Sequence, residues 1–299
     1  MNVLVTGSNG RLGGKFIKHL INATDFSVTA VASDPKKIRM MMEREGISDN
    51  GRIAFLANEE FISQEWRRND IDAAVHLAFS RRNQPAMQIA SSIDFSLAVF
   101  RKLSAIGIKR VVNVSSQGVY GAVEEIRTVS TPPAPDNHYT MAKYAVEVLF
   151  DACFEHQQAT ERTNIRLDIV AQGNHLLGAL CKQAMAGIIQ LRGGEQVFSF
   201  IDEEDAATAL LALLQSSKPW KRIYNVGWNH RRYTLLEIAE IVAKQAEIQG
   251  YGLPEIHLDR QDIHLWAGMD ASLFMKDTNW KPAYELNDSI RKMLKTGGY

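Results

Sequence analysis

The chain has 299 residues, enough for one large buried core and a smaller lobe, and its 45% hydrophobic and 23% charged residues exclude a disordered chain. Its 34 basic and 34 acidic residues cancel to a formal charge of zero, which argues against nucleic acid or an anionic membrane as a partner. Two cysteines, Cys153 and Cys181, without CxxC or Cys/His ligand spacing, argue against a disulfide framework and against a structural metal, so no metal site is expected and a reducing compartment fits.

The chain opens on Asn2-Val3-Leu4-Val5-Thr6, a buried-strand pattern without the basic and long apolar regions of a signal peptide. No apolar run reaches the ~18 residues that span a bilayer, so a cytoplasmic protein is expected. Short apolar runs then alternate with helical patterns. Val3–Thr6 precedes a helix over Gly13–Ile21, and Val28–Ala32 one over Pro35–Glu45. Ile53–Leu56 is followed by a shorter polar segment, Ala73–Ala78 by a helix over Met87–Ala105, and Val111–Ser115 by one over Tyr139–Glu155. Ile165–Val170 is a sixth run. This alternation predicts an α/β protein with a Rossmann-like, doubly wound parallel sheet.

Beyond residue 172 the alternation weakens. Asn174–Gln196 reads as helical with Gly193-Gly194 as a break. Phe198–Ile201 and Ile223–Val226 read as strands returning to the main sheet, and Thr234–Gln249 as an amphipathic helix. The organisation expected is a sheet domain over residues 1–172, with return segments in 197–227. A smaller discontinuous lobe from 173–196 and 228–299 would cover the C-terminal ends of the strands, where such folds bind ligands. No proline- or serine-rich linker separates the two, so one body with a cleft is expected.

Three groups of residues carry chemistry. Thr6-Gly7-Ser8-Asn9-Gly10-Arg11-Leu12-Gly13 lies directly between the first strand and the first helix. Glycines let the backbone turn sharply and approach a pyrophosphate, and a helix N-terminus offers unpaired N–H groups. A glycine pattern alone is often a mere turn, but the strand–turn–helix setting favours a dinucleotide. Tyr139 and Lys143, four apart on a helix, share one face. A nearby cation favours phenolate, so a phenol of ordinary pKa ~10 can move toward working pH and act as acid or base on a hydroxyl or carbonyl. An isolated pair of this kind is more often a solvated helix face. Ser116, in Val114-Ser115-Ser116-Gln117-Gly118-Val119-Tyr120-Gly121, ends the fifth strand, where its hydroxyl could bond the reacting oxygen; turn chemistry is the alternative.

Taken together the three groups resemble the extended short-chain dehydrogenase/reductase family, also called the NAD-dependent epimerase/dehydratase family, over essentially the whole chain. Val75-His76-Leu77-Ala78-Phe79 is similar to the family's fourth-strand motif, and Glu147 follows Lys143 by four residues as in many members. Phe200-Ile201-Asp202-Glu203-Glu204-Asp205-Ala206-Ala207 is similar to the segment that re-enters the core. Tyr224-Asn225-Val226-Gly227, Asp270-Ala271-Ser272 and Trp280-Lys281-Pro282 match C-terminal landmarks.

The resemblance implies an NAD(P)-dependent enzyme that moves hydride at a secondary alcohol or ketone carbon of a nucleotide-sugar, as an epimerase or a dehydrogenase/reductase. It makes Tyr139 the acid/base, Lys143 the group that lowers its pKa and holds the nicotinamide ribose, and Ser116 the group that orients the substrate oxygen. Gly7, Asn9, Gly10, Arg11, Leu12 and Gly13 would cradle the dinucleotide, with Leu77, Ala78 and Phe79 beside it. Asn174 matches a position that contacts the substrate diphosphate. A homodimer is expected by analogy.

Departures from the family pattern limit these expectations. At the end of the second strand an acid binds the free ribose hydroxyls of NAD, whereas an arginine receives the extra phosphate of NADP. Those positions fall on Ala32 and Ser33. Asp34 could still reach the ribose or could start a turn before Pro35. With no arginine at Ser33, NAD is favoured, while Lys36 and Lys37 keep NADP open. Asn58 stands where relatives carry an acid near the adenine, and an amide can serve. Family dehydratases place an Asp-Glu pair where this chain has Gln117 and Gly118. Neither transfers a proton, so dehydration is not expected, and Gln117 is taken as a substrate contact.

On the substrate side, Phe198 replaces a diphosphate-binding arginine, and the sixth strand ends Val170-Ala171-Gln172 where many relatives carry another. Arg260, in Arg260-Gln261-Asp262, resembles a further such arginine with its spacing one residue short. Arg81, Arg82, Arg231 and Arg232 could substitute, solvation being the simpler reading of each. Trp228 and His230 could line the pocket, while His257 and His264 read as structural. The competing functions are a dehydrogenase or reductase of a small non-nucleotide substrate and a cofactor-bound regulator or scaffold. The presence of Ser116, Tyr139 and Lys143 together argues against the last.

Overall fold

The structure, a computed structural model, describes residues 1–48, 51–67 and 69–297. The alternation read from the first half is realised as β1 (Asn2–Thr6), α1 (Arg11–Ala23), β2 (Ser27–Ala32), α2 (Pro35–Glu45), β3 (Ile53–Ala57), α3 (Asn58–Ser63), β4 (Ala73–His76), α4 (Ala86–Ala105), β5 (Arg110–Ser116), α5 (His138–Cys153) and β6 (Glu161–Leu167). The strands are short and apolar because both faces are covered: Val3, Leu4 and Val5 of β1 are fully buried. The helices start at capping residues. Asp34 Oδ1 accepts the Lys36 N–H at 3.0 Å and Pro35 opens α2. Asn137 accepts from the N–H groups of Tyr139 and Thr140 at the head of α5.

The second half continues as β7 (Ile169–Val170), α6 (His175–Met185), β8 (Ile188–Arg192), β9 (Val197–Phe198), β10 (Phe200–Ile201), α7 (Glu203–Gln215), β11 (Ile223–Val226), β12 (Tyr233–Thr234), α8 (Leu235–Ile248), β13 (Glu255–Asp259), α9 (Ser272–Thr278) and α10 (Leu286–Thr296). The main sheet has seven parallel strands in the order β3-β2-β1-β4-β5-β6-β11. One face is buried against α1, α2, α7 and α9, the other against α3, α4 and α5. A third apolar cluster joins α6, β8, α8 and α10. Among the described residues no helix is long and apolar enough to cross a membrane.

Two expectations are corrected. The stretch from Asn174 to Gln196 is helical only through Met185. Gly187, at φ +89°, ends the turn, and β8 follows with alternate residues buried, pairing with the unanticipated β13. Phe198–Ile201 does not return to the main sheet: β9 pairs antiparallel with β12 and β10 pairs parallel with β7. The break lies at Ser199, whose hydroxyl turns inward to Asp168 instead of continuing one strand. Ile223–Val226 does return, beside β6.

Candidate active site

β1 and β4 are neighbours whose following helices, α1 and α4, pack on opposite faces, so a crevice opens at their C-terminal ends. The turn after β1 is held close to β4. Gly7 has φ +67°, and a Cβ there would lie 2.8 Å from the Ala78 nitrogen. A Cβ at Gly13 would collide with the Gly7 carbonyl. Thr6 Oγ1 accepts from the Leu77 and Ala78 N–H groups at 3.2 and 3.3 Å and bonds His76 Nδ1 at 2.8 Å. Burial brings the His76 pKa down to about 3, helped by Lys143, so this imidazole is a neutral structural link. Gly10 heads α1 with no side-chain cap, which leaves the first-turn N–H groups to whatever enters the crevice.

Beside that turn lies a pocket of about 420 Å³ lined by Gly7, Asn9, Gly10, Ala32, Ser33, Asn58, Leu77, Ala78 and Phe79, with Gln88, Ser91 and Ser92 from α4. Asn58 Oδ1 is buried there without a hydrogen-bond partner, an acceptor placed for an exocyclic amine. The uncapped helix, the close glycine turn and this orphaned acceptor fit the phosphates and adenosine of a dinucleotide. Asp34 is absent from the pocket lining, and its carboxylate caps α2.

A cleft of about 930 Å³ continues from this pocket. It brings together Arg11, Leu12, Gly13, Ser116, Gln117, Tyr139, Lys143 and Asn174 from segments far apart in sequence. Ser116 Oγ accepts the Gly118 N–H at 3.1 Å, which leaves its own proton to donate. Asn174 Oδ1 caps α6 through Leu176 and Leu177. Lys143 Nζ donates to the Val114 carbonyl at 2.9 Å and sits 4.2 Å from the centre of the Phe79 ring, which meets Tyr139 edge-on at 5.9 Å.

Burial lowers the Lys143 pKa to about 7, with Glu147 opposing, and burial raises Tyr139 to about 12, with the Arg82 guanidinium opposing. The expectation that Lys143 draws the phenol down is therefore not met in this arrangement. A lysine half neutral near pH 7 exerts little pull, and an aromatic ring touches both side chains.

Other substrate-side expectations are redistributed. Arg260 is exposed just past β13 and lies outside the cleft lining, because the β8–β13 pair carries it to solvent. Trp228 and His230 also lie outside it: Trp228 Nε1 is bound to the Tyr284 carbonyl, and Leu265 and Trp266 line the cleft instead. Arg231 stands 3.8 Å from Glu285, and Arg232 donates to the Glu124 carbonyl. Arg81 and Arg82, read as solvated, line the cleft mouth, and their side chains make no hydrogen bond or ion pair with a described residue. Next to them, Asn83 bonds His175 at 2.9 Å. Three buried residues escaped sequence reasoning: Arg127, Asp168 and Ser199. The first two line the cleft, and no motif marks them.

Comparison with known proteins agrees with this geometry. The profile of the NAD dependent epimerase/dehydratase family matches residues 3–227. The dTDP-glucose 4,6-dehydratase of Neisseria gonorrhoeae is 23% identical over 338 residues, covering 98% of this chain and 94% of the relative. The UDP-glucose 4-epimerase of Streptococcus mutans is 27% identical over 156 residues, covering 50% of this chain and 46% of the relative. The crystal structure of UDP-glucuronic acid 4-epimerase from Bacillus cereus in complex with NAD superposes with a TM-score of 0.81 at 18% identity, covering 100% of both chains. With a profile match that runs from β1 through the return strand β11, the chain belongs to the NAD dependent epimerase/dehydratase family.

Proposed function

We propose that this protein is an NAD-dependent enzyme acting at a secondary alcohol or ketone carbon of a nucleotide-sugar, with redox-neutral epimerisation as its reaction. The observation that carries this reading is the meeting of Ser116, Tyr139 and Lys143 in one cleft of about 930 Å³ that continues from the dinucleotide pocket. A cavity of that size accommodates a nucleotide-sized ligand.

NAD is preferred over NADP because no lysine or arginine among the described residues lines the adenosine pocket, where a ribose phosphate would need a cation. Ser33 and Asn58 offer neutral hydrogen-bonding groups suited to free hydroxyls and an adenine. Bound NAD supplies the hydride acceptor. Tyr139 takes the substrate hydroxyl proton as the carbonyl forms and returns it afterwards, while the Ser116 hydroxyl donates to the same oxygen. Lys143, when charged, stabilises the phenolate form from which Tyr139 takes that proton.

Dehydration is disfavoured. It requires a base for the carbon acid and an acid for the departing hydroxyl. Gln117 is an amide bonded to Asp168, and Gly118 has no side chain. The lobe from 173–196 and 228–299 is the proposed substrate side. A second copy is proposed to pack on the outer face of α4 and α5, which exposes Met87, Met141 and Val148. Light scattering at micromolar concentration tests that pairing, and a monomer rejects it.

Tyr139→Phe should lower turnover at least ~100-fold while NAD binding stays nearly unchanged; full activity in that variant would sink the mechanism. Incubation with NAD and UDP- or dTDP-sugars should interconvert epimers without net reduced nicotinamide. Steady accumulation of reduced cofactor eliminates the redox-neutral version.

A further inference from the structure

The cleft floor holds a buried polar cluster that the proton chemistry above does not use. Leu167 pairs with Ser116 in the parallel register of β5 and β6, so Asp168, the next residue, stands beside Gln117 at the strand ends. Three donors converge on one oxygen of its carboxyl: Gln117 Nε2 at 2.7 Å, Ser199 Oγ at 2.6 Å and the Ile169 N–H at 2.8 Å reach Oδ1. No described residue donates to Oδ2, and Gly227 keeps the space beside it clear, since a Cβ there would lie 2.7 Å away.

On the far side of Gln117 lies the guanidinium of Arg127, a residue only 2% exposed. Its Nη1 meets Gln117 Oε1 at 3.4 Å and its Nη2 the carbonyls of Gly121 and Trp266, while Nε is buried without a partner. Arg127 and Asp168 are thus linked through the Gln117 amide rather than by direct contact, and all three line the cleft.

A buried carboxyl with one saturated oxygen and one empty oxygen is incomplete until a donor arrives. We propose that Asp168 contacts the substrate, its free oxygen accepting a hydrogen bond from a ring hydroxyl of the sugar, so that the cleft floor selects uncharged hydroxylated sugars over sugar acids. The proposal rests on the nucleotide-sugar reading. A hydroxyl donor gains a charge-assisted bond at this position, whereas a substrate carboxylate would face a fixed carboxylate of like sign. The Nη groups of Arg127 are already taken by Gln117 and two carbonyls, which limits its pull on such an anion. Burial raises the Asp168 pKa to about 6, with Ser199, Ile169 and Arg127 opposing, so the carboxylate form prevails at neutral pH. Arg127 is the charged group facing it; Gln117, Ser199 and the Ile169 N–H are neutral.

Asp168→Asn retains the oxygen that the three donors need and turns the free edge into an NH2 donor. Binding of UDP, UDP-glucose and UDP-glucuronic acid to NAD-loaded wild type and variant, with the dTDP forms in parallel, is measured by calorimetry beside a melting curve. The wild type should prefer the glucose form. The variant should hold the bare nucleotide equally well and lose at least about tenfold of that preference, the weight of one hydrogen bond to a charged group. An unchanged preference in a folded variant overturns the role of Asp168 and leaves the nucleotide-sugar reading standing. Failure of the wild type to bind any nucleotide or nucleotide-sugar overturns both. Should the variant not fold, the wild type itself decides: its preference should collapse as pH falls through about 6, and a flat ratio between roughly pH 5 and 8 overturns the proposal.

Discussion

Replacing Glu147 by glutamine should damage this protein twice, and the two effects can be separated. Glu147 sits one helical turn beyond Lys143 on α5. It grips Arg166 of β6 with two oxygens, Oε1 to Nε at 3.1 Å and Oε2 to Nη2 at 2.7 Å. The partners are 3% and 2% exposed, so water screens neither, and the guanidinium stacks 4.6 Å from the centre of the Tyr120 ring. Removing one charge strands the other in the interior, a loss of about 3–5 kcal/mol. For a chain of this length that is a fall of roughly 6–20 °C in Tm.

The second effect concerns the proton chemistry. Burial holds Lys143 near 7 and Glu147 is the group that opposes this, so the variant lysine should titrate below 7 and be neutral at physiological pH. Turnover should then fall even where the variant is fully folded, and part of it should return as pH is lowered and Lys143 regains its proton. Scanning calorimetry and kcat against pH read the two effects. The double variant Glu147→Leu with Arg166→Met should regain most of the stability, since an apolar pair replaces the buried ions, but not the activity. A Glu147→Gln protein within about 1 kcal/mol of wild type would refute the reasoning, because an ion pair this buried cannot lose a partner so cheaply.

Four further outcomes are expected. Gly7→Ala forces a Cβ into a left-handed turn and against Ala78, so NAD affinity should drop more than about tenfold by calorimetry, while an unchanged affinity means the turn does not form the phosphate site. Asp34→Ala should remove the α2 cap, about 1 kcal/mol of stability, with NAD affinity nearly unchanged; a large affinity loss would place this carboxylate on the ribose. Arg82→Gln removes the cation opposing the rise of Tyr139, so the rising limb of the kcat profile, set by ionisation of Tyr139, should move to higher pH, and an unmoved limb rejects the coupling. Asp168 has a folded pKa of about 6 against 3.8, so it adds stability below pH 4 that is lost as pH rises through 6. Relative to Asp168→Asn, urea titrations should show the wild type losing up to about 3 kcal/mol between those limits, and parallel curves contradict this.

The parallel sheet was legible because its strands are covered on both faces, which writes short continuous apolar runs such as Val3–Val5 between helices that announce their own starts, as Asp34-Pro35 does for α2. The second half was less legible for a physical reason. Ile188–Arg192 buries only alternate residues and was absorbed into the preceding helical pattern, because two buried isoleucine and leucine side chains fit either period over so short a span. Phe198–Ile201 has the composition of one strand. It is split by Ser199, whose hydroxyl answers to Asp168 some thirty residues earlier, and no local pattern encodes that bond.

The same limit explains which parts of the active site could be read. Ser116, Tyr139 and Lys143, which line one cleft, were legible as candidates because the proposed chemistry fixes residue type and spacing within single elements, a strand end and one helix face. The cleft floor is assembled across strands. Considered alone, Gln117 and Gly118 denied the site any ionisable group next to Ser116. Parallel register places Asp168, just past the end of β6, beside Gln117 and restores one, with Arg127 arriving from the loop between β5 and α5. Losing an acid at position 117 therefore does not leave that wall neutral. It moves the charge to the residue that follows the neighbouring strand, held by the Gln117 amide, where the proposal above has it accept a sugar hydroxyl.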